Sequence, residues 1–271
     1  SMESSRLKNI IILILLLVNV FLLASLVSRR ISQASAQRQA AQQLTDLFAS
    51  AGVTLDPDVI SKSSVPPTLS LSRSDDEGRK VAAFFLGDAL IQSDDAGDSH
   101  AYDSSFGTGS GVFRSNGSFD LVISYSSQED PEALCSDFCR RFDYQITGST
   151  LEDGTGTITA TQEYNGYPVA DCTVTFYIEQ GVLQTVSGSH LPKSYTETGM
   201  DEPLSASAAL TRFLEARRES GAVFSAVTDM YPCYDLQSTA SAPMTLVPAW
   251  CIVTDTVNYY VNCSTGAVSH E

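Results

Sequence analysis

An uncharged run of eighteen residues, Ile10–Val27, constrains this chain more than any other feature of its sequence. Only Asn19 and Ser25 interrupt its apolar character. At about 1.5 Å of rise per residue, a helix of this length is just long enough to cross a hydrocarbon core of about 30 Å. The run therefore predicts a transmembrane helix at 10–27, preceded by a short cytoplasmic segment at 1–9.

A cleaved secretory signal is the alternative interpretation of the same segment. Signal peptides have shorter apolar regions, of about 7–15 residues, before a small-x-small cleavage site. Ala34 and Ala36 provide such a site, but Arg29 and Arg30 separate it from the apolar run. The sequence therefore favours an uncleaved anchor over a cleaved signal.

Charge divides the chain into two unlike parts. Residues 1–38 carry five basic residues and one acidic residue, whereas the remainder carries 11 basic and 31 acidic residues, a net charge of −20. This acidic balance argues against nucleic-acid binding, because phosphate contacts need basic patches. Basic residues flank both ends of the span, so the positive-inside rule gives no orientation. We favour a single-pass protein of the cell membrane with its large domain extracytoplasmic, since long domains translocate largely regardless of charge.

Asn19 lies in the middle of the predicted span. A side-chain amide in lipid is stabilised by a hydrogen-bonding partner, and a second helix can supply one. Several leucines share one helical face, namely Leu15, Leu16, Leu22, Leu23 and Leu26. Asn19 and this leucine face are candidate partner contacts within the membrane. The alternative is that a single anchor tolerates one asparagine.

Beyond the span, the pattern of residues predicts a stalk and then an α+β body. Residues 28–52 are expected to continue the membrane helix, since apolar residues recur at three- and four-residue steps in Ser35–Ala51. Three units are predicted at 53–127, 128–198 and 199–271. The second and third each show one helix followed by three antiparallel strands, so we expect sheets with helices on one side.

Individual elements follow from the same patterns. Helices are predicted at Pro131–Phe142, where Asp130 caps the first turn, and at Ser205–Ser220, where Ser205 or Ser207 is the candidate cap. Asn-Gly turns predict hairpins at two places. The predicted strands are Thr68–Arg73, Lys80–Leu86, Gly111–Ser115, Ser118–Tyr125, Thr157–Tyr164, Pro168–Ile178, Val182–His190, Phe224–Leu236, Leu246–Thr254 and Asn258–Val261, with a short strand after Gly266. Val53–Pro67 and Asp88–Ser99 are predicted loops.

Four segments, taken in order, carry a resemblance to a known family. Leu15–Leu23 lies in the span, Glu163–Val169 forms a hairpin, and Leu246–Ile252 and Tyr259–Gly266 lie near the C-terminus. Together they resemble the YycI/YycH family of regulators of Gram-positive bacteria, and the chain length is closer to YycI. The six cysteines depart from the family pattern.

The resemblance implies a non-enzymatic protein with one N-terminal transmembrane helix and an extracytoplasmic domain. Such proteins associate with each other and with a sensor histidine kinase that controls cell-wall metabolism, and their transmembrane helix adjusts kinase activity. A histidine kinase and a YycH-like protein are therefore the expected partners, in a homo- or hetero-oligomer, and no cofactor is expected. The C-terminal unit also resembles PepSY-type modules, which implies an alternative role in extracytoplasmic binding or inhibition, in envelope or spore biology.

The sequence lacks familiar motifs for catalysis or metal binding. Its three histidines, His100, His190 and His270, fit no metal-ligand spacing, and no nucleophile elbow or phosphate loop occurs. Gly107–Gly111 precedes a strand and is interpreted as a flexible connection. The acidic groups Asp75-Asp76-Glu77 and Asp94-Asp95 with Asp98 suit solvated loops better than a calcium site.

The cysteines leave alternatives open. An even number outside the cytoplasm permits disulfides. Cys135 and Cys139 lie one helical turn apart, which is poor geometry for a mutual bond. Cys172 lies on the apolar face of a strand and is predicted to be buried, whereas Cys233 and Cys251 are candidate cross-strand neighbours. The oxidation state is not decided by the sequence.

Three aromatic residues are candidate contacts of the soluble body. Tyr164 and Tyr167 flank a predicted turn, and Trp250 is the only tryptophan. For all three residues, packing within the fold is the favoured interpretation. Exposure to a partner protein is the alternative.

Overall fold

The chain begins with one continuous helix, α1, at Met2–Ser50. The computed structural model describes residues 2–73, 76–95, 99–124, 130–199, 202–239 and 243–271. The predicted span and the predicted stalk both belong to α1, which confirms that the helix continues from one into the other. The helix stops before Gly52, whose φ of +77° costs glycine little.

Beyond α1, the described part of the chain repeats one pattern three times: a helix followed by four antiparallel strands. Two short strands, β1 (Thr54–Leu55) and β2 (Thr68–Leu71), come first. The three copies are α2 (Asp76–Leu86) with β3 (Leu90–Asp95), β4 (Ser99–Ser104), β5 (Gly109–Arg114) and β6 (Ser118–Ile123); α3 (Pro131–Arg141) with β7 (Tyr144–Ser149), β8 (Gly156–Tyr164), β9 (Tyr167–Glu179) and β10 (Val182–Ser189); and, after β11 (Tyr195–Thr198), α4 (Ala206–Ser220) with β12 (Ala226–Gln237), β13 (Thr245–Thr254), β14 (Asn258–Asn262) and β15 (Val268–His270). The α+β prediction is confirmed, although the sequence indicated the pattern only twice.

Two predictions for the first copy were wrong. Lys80–Leu86 is not a strand but the second half of α2, in which Val81, Ala82 and Leu86 are buried at helical spacing. Charged residues form the first turn of α2, so the apolar run taken alone conceals the helical period. Asp88–Ser99 is not a loop, because it contains β3. Among the described strands β3 pairs with β4 alone, and its polar composition suits an exposed edge.

Most other predicted elements are confirmed. Asp130 and Ser205 cap α3 and α4 through side-chain oxygens. Asn165 and Gly166 both adopt positive φ, as a primed two-residue turn requires. The predicted end of one strand at Tyr125 lies outside the described residues. Strand β9 buries alternate residues on the core side and turns the others outward, with Cys172, Val174, Phe176 and Ile178 buried.

The strands form one sheet with two parts that share β9. The first part has the order β7-β8-β9-β10-β6-β5-β4-β3 and is antiparallel throughout. The second part centres on the long β12–β13 pair. The two parts meet where Val169 of β9 pairs in parallel with Tyr234 of β12. Asp171, with φ +60°, marks the point where β9 passes from one part to the other.

Four buried clusters, three of them larger than the fourth, hold the body together. Helices α2 and α3 share the first core, at whose centre the Phe138 ring lies 4.8–5.6 Å from the rings of Phe84, Phe85, Phe142 and Phe176. The second core joins α4 and the last turns of α1 to β12–β14. The third lies at the junction of the two sheet parts. Strands β1 and β2 pair with β12 and β13, so residues 54–71 contribute to the C-terminal sheet.

Candidate functional site

The apolar part of α1 lies outside the folded body. Among the described residues, α1 is the one helix long and apolar enough to cross a membrane, and none of its most apolar window is buried. The leucines of the predicted contact face are 52–61% exposed, namely Leu15, Leu16, Leu22, Leu23 and Leu26. Because α1 is regular, these leucines and Asn19 lie along one stripe of the helix.

Residues 28–43 connect this apolar segment to the body as a mostly exposed helix. At about 1.5 Å per residue, the connection spans about 24 Å. Leu44 and Phe48 then enter the second core, where both are buried. The Phe48 ring stacks on Phe213 of α4 with ring centroids 6.4 Å apart. The apolar segment of α1 is thus joined to the body by helical backbone, and the last turns of the same helix are held there by core packing.

Arg217 of α4 holds the end of α1. Its Nη1 donates to the Ala51 carbonyl at 3.2 Å, and its Nη2 donates to the Phe224 carbonyl at 3.5 Å. The guanidinium carbon also lies 5.0 Å from the centre of the Phe224 ring. Carbonyls at the end of a helix lack helical partners, so this contact satisfies one of them.

Two of the three aromatic candidates are core residues. Trp250 is 1% exposed, and its Nε1 donates to the Leu204 carbonyl at 2.8 Å. Tyr164 is 5% exposed, and its hydroxyl donates to the Pro192 carbonyl at 2.5 Å. Packing therefore describes both residues, and neither offers an exposed ring to a partner. Tyr167 is half-buried against other residues of the body and stays a candidate contact.

A cleft of about 540 Å³ opens beside Tyr164. Its walls come from the α3–β7 connection, from the β8–β9 hairpin and from the segment between β10 and β11. Its charged lining residues are Glu77, Arg140, Arg141, Asp143, Glu163, His190 and Lys193. This volume lies within the range of roughly 300–1,000 Å³ that is typical of small-ligand sites.

His190 bridges two side chains at the inner wall of the cleft. Its Nδ1 lies 3.1 Å from the Tyr144 hydroxyl, and its Nε2 lies 3.1 Å from Glu77 Oε2. The Tyr144 hydroxyl donates its one hydrogen to the Ser189 carbonyl at 2.5 Å, so it can only accept from His190. The Glu77 carboxylate accepts as well. The His190 ring therefore bridges the Tyr144 hydroxyl and the Glu77 carboxylate.

Electrostatics favour the charged form of Glu77. Its pKa is lowered chiefly by the hydrogen bond from His190, against the opposing effect of burial. Lys80, whose Nζ lies 4.0 Å from Glu77 Oε1, lowers this pKa further. Burial raises the pKa of Tyr144, which keeps its phenol protonated. The network ties α2 to the segment after β10, and each of its polar groups has a partner.

The cysteines of the body, of which Cys139 lines the cleft, are thiols with little nucleophilic character. All six cysteines are free and buried. Burial raises the pKa of Cys135 and Cys172 to about 12 and that of Cys139 to about 11. Thiolate is the reactive form, and it is scarce at neutral pH when the pKa is so high. The Cys172 thiol donates to Gln162 Oε1 at 3.2 Å, which is a structural contact.

Cys233 and Cys251 lie on adjacent strands but are not directly opposite each other. Cys233 is opposite Ala249, and Cys251 is opposite Tyr231. The predicted neighbours are therefore offset diagonally by two residues. Both belong to one buried cluster on the second part of the sheet.

The acidic groups considered for calcium are only partly described. Asp75 and Asp98 lie outside the described residues, as do the side chains of Asp94 and Asp95. Elsewhere in the described ranges, no group of three or more His, Cys, Asp or Glu side chains is placed to hold a metal ion. Glu77 of the first acidic group belongs to the His190 network instead.

The cleft was missed by sequence reasoning, which considered His190 only as a metal ligand. Glu77 and His190 are 113 residues apart and meet through the packing of α2. The sequence feature that could have indicated this contact is the acidic first turn of an amphipathic helix. It was overlooked because Lys80–Leu86 was predicted as a strand.

Comparisons with known proteins give distant similarity alone. No family model matches the chain, and no curated protein matches it. An uncharacterized protein from Eubacterium rectale is 12% identical, with 76% of this chain and 81% of that chain covered and a TM-score of 0.44. The C-terminal domain of YpeB from Bacillus megaterium is 13% identical, with 74% of this chain and 98% of that domain covered and a TM-score of 0.37. Likeness at this level does not bear on function, and the YycI/YycH resemblance stays a prediction from the sequence.

Proposed function

We propose that this protein is a non-enzymatic accessory protein, anchored in the cell membrane by α1, that regulates a sensor histidine kinase as the YycI/YycH resemblance implies. The observation that carries the proposal is the continuity of α1. One helix presents the Asn19 stripe in its apolar part and buries Leu44 and Phe48 in the body. A kinase helix that binds the stripe is thereby connected to an extracytoplasmic domain without a flexible linker.

Regulation follows if the accessory helix binds one state of the kinase more tightly than the other. A ligand shifts a two-state equilibrium only through such a difference in affinity. An amide hydrogen bond between membrane helices contributes about 1 kcal/mol, which corresponds to about a fivefold preference. Contacts of the body, including those with a YycH-like protein, add to this difference outside the bilayer.

Binding rather than catalysis is supported by the chemistry of the described residues. The His190 ring has both nitrogens engaged in hydrogen bonds. Burial raises the pKa of the cleft thiol Cys139. Neither group is poised as a nucleophile or as a general base, since each performs a structural role.

The test uses the full-length protein in membranes with the sensor kinases of its host. Asn19→Leu should lower the amount of kinase that co-purifies by about fivefold and should change phosphorylation of the response regulator. Ser25→Leu is the matched control, because it removes the other polar residue of the span about 120° around the helix. Equal recovery of kinase with both variants, or unchanged signalling with a span made only of leucine, would show the membrane contact to be wrong.

The helix-then-strands pattern of the body supports a second candidate, a PepSY-like module that binds or inhibits an envelope or spore enzyme. Its contact would lie on the body and would not need the apolar stripe. The same co-purification distinguishes the two roles. A protease or hydrolase that is recovered equally with wild type and with Asn19→Leu favours the module.

A further inference from the structure

The cleft beside Tyr164 is not used by the proposed contacts of the membrane helix, and its charges can be sorted by their partners. Lys193 pairs with Asp143 at 3.7 Å. Arg140 pairs with Asp137 on its own helix at 2.8 Å. His190 and Glu77 form the buried pair described above. These internal pairs neutralise most of the charged lining.

Two charged side chains of the lining, Glu163 and Arg141, are left over. Among the hydrogen bonds and ion pairs of the described residues, no cation contacts the Glu163 carboxylate and no acceptor contacts the Arg141 guanidinium. Glu163 is half-buried, and burial raises its pKa, which indicates a poorly hydrated carboxylate. The cleft therefore offers one unpaired anion and one unpaired cation.

Contacts within the body hold the Glu163 backbone and the Arg141 guanidinium in place. The Glu163 N–H donates to the Asp143 carbonyl at 2.8 Å, which holds the end of β8 beside the start of β7. The Arg141 guanidinium carbon lies 5.8 Å from the centre of the Phe142 ring and 6.0 Å from that of Phe84. Stacking on aromatic rings orients a guanidinium while its N–H donors stay free for a carboxylate.

We propose that this cleft binds a short zwitterionic peptide, with the peptide ammonium group at Glu163 and the peptide carboxylate at Arg141. A desolvated carboxylate is stabilised by a cation, and a guanidinium binds a carboxylate through two parallel hydrogen bonds. The aromatic walls and the volume suit a ligand of a few residues. The inference does not rest on the proposed regulation of a kinase.

In the test, alanine and its di-, tri- and tetrapeptides are titrated at millimolar concentration into the full-length protein in detergent. Binding is measured by the heat released in calorimetry or by changes in NMR chemical shifts. Alanine peptides report on their charged ends alone. Binding should strengthen with length until both ends reach their partners. Acetylating the N-terminus of the best peptide should weaken binding about tenfold, and amidating its C-terminus should do the same.

Two variants test which cleft residue binds each end of the peptide. Glu163→Gln should bind the free and the acetylated peptide equally, while Arg141→Gln should bind the free and the amidated peptide equally. Glu215→Gln and Arg212→Gln, which alter an exposed pair on α4, are the matched controls and should behave as wild type. Absence of binding by every peptide, stronger binding of free alanine than of any peptide, or cap effects that persist in both cleft variants would overturn the proposal.

Discussion

The two halves of the body complete their cores in different ways. In the N-terminal half, residues 76–189, α2 and α3 cover the sheet and meet around Phe138. The C-terminal half has α4 as its own covering helix and is completed by the last turns of α1, through Leu44 and Phe48. Helix α1 is therefore part of one core and absent from the other.

This difference has a mechanical consequence. A displacement of α1 acts directly on the C-terminal core, because Phe48 packs there. It reaches the N-terminal half through the junction, where Val169 pairs with Tyr234 and a third cluster is buried. The C-terminal half is thus the part of the body that should respond first to a displacement of α1.

The largest expected effect comes from truncating Phe48, the α1 side chain that packs in the C-terminal core. Phe48→Ala should lower the free energy of unfolding by about 3–5 kcal/mol, because a fully buried ring is replaced by a cavity. Amide hydrogen exchange should then accelerate in β12–β14 and stay slow in β8–β10.

Phe138→Ala is the mirror-image variant and is equally buried. It should lose similar stability and accelerate exchange in β7–β10 instead. If either variant accelerated exchange equally in both halves, the body would be one cooperative unit and the contrast between the two cores would have no energetic meaning.

A smaller effect is expected from His190, which directly follows the N-terminal half and contacts Glu77 and Tyr144 within it. His190→Leu leaves the Glu77 carboxylate and the Tyr144 hydroxyl without their partner and should cost about 2–3 kcal/mol in urea unfolding. His270→Leu, at an exposed position, is the control and should change little. A similar loss in both variants would mean that the cost comes from the leucine and not from the network.

The His190 network also predicts a dependence on pH. The pKa of Glu77 is lowered in the folded protein from its ordinary value of 4.5. Its contribution to stability is therefore present above about pH 4.5 and is lost as the pH falls through the folded pKa. The acid-induced loss of stability below that pH should be shallower in His190→Leu than in wild type.

Arg217 tests the attachment of α1 with a still smaller effect. Arg217→Gln removes the hydrogen bond to the Ala51 carbonyl and the stacking on Phe224, and should cost about 1–2 kcal/mol. Exchange should accelerate mainly in the last turn of α1. Arg217→Lys should give an intermediate loss, since lysine keeps the charge but not the planar fork. Equal stability of all three proteins would show that packing alone attaches the helix.

The sequence predicted what depends on near neighbours. The caps at Asp130 and Ser205 and the turn at Asn165-Gly166 are each encoded within a few residues, and all are confirmed. Strand β7 was missed because most of its residues are exposed and it lacks an apolar alternation. Helix α2 was missed because its period becomes visible only when its charged first turn is included.

The candidate sites depend on contacts that no local pattern encodes. Glu77 and His190 meet only after α2 has packed beside the end of β10. Leu44 and Phe48 were visible as a periodic face, but the surface that covers them belongs to α4, more than 150 residues later. The burial of Trp250 was likewise not decided by local sequence, because it depends on the second core and on a hydrogen bond to the distant Leu204 carbonyl.

The smallest effect is expected at Asp255, which gives the C-terminal half an acid titration of its own. Its carboxylate accepts hydrogen bonds from the Ser225 hydroxyl and from the N–H groups of Ser225 and Ala226, at the start of β12. The Ser225 hydroxyl is the largest of the effects that lower the pKa of Asp255 to about 2. Because the folded pKa lies below the ordinary value of 3.8, this contribution is present above about pH 3.8 and is lost as the pH falls towards 2.

Asp255→Asn should therefore slightly lower the midpoint of urea unfolding at neutral pH and should match wild type near pH 2. Ser225→Ala should show part of the same change. Amide exchange measured against pH would separate the two acid responses. Protonation of Glu77 should loosen the N-terminal half, whereas protonation of Asp255 should loosen β1 and the start of β12, beside the end of α1. If Asp255→Asn altered the acid response of β8–β10 as much as that of β12, the two halves would share their electrostatics, and the separate coupling of α1 to one of them would be refuted.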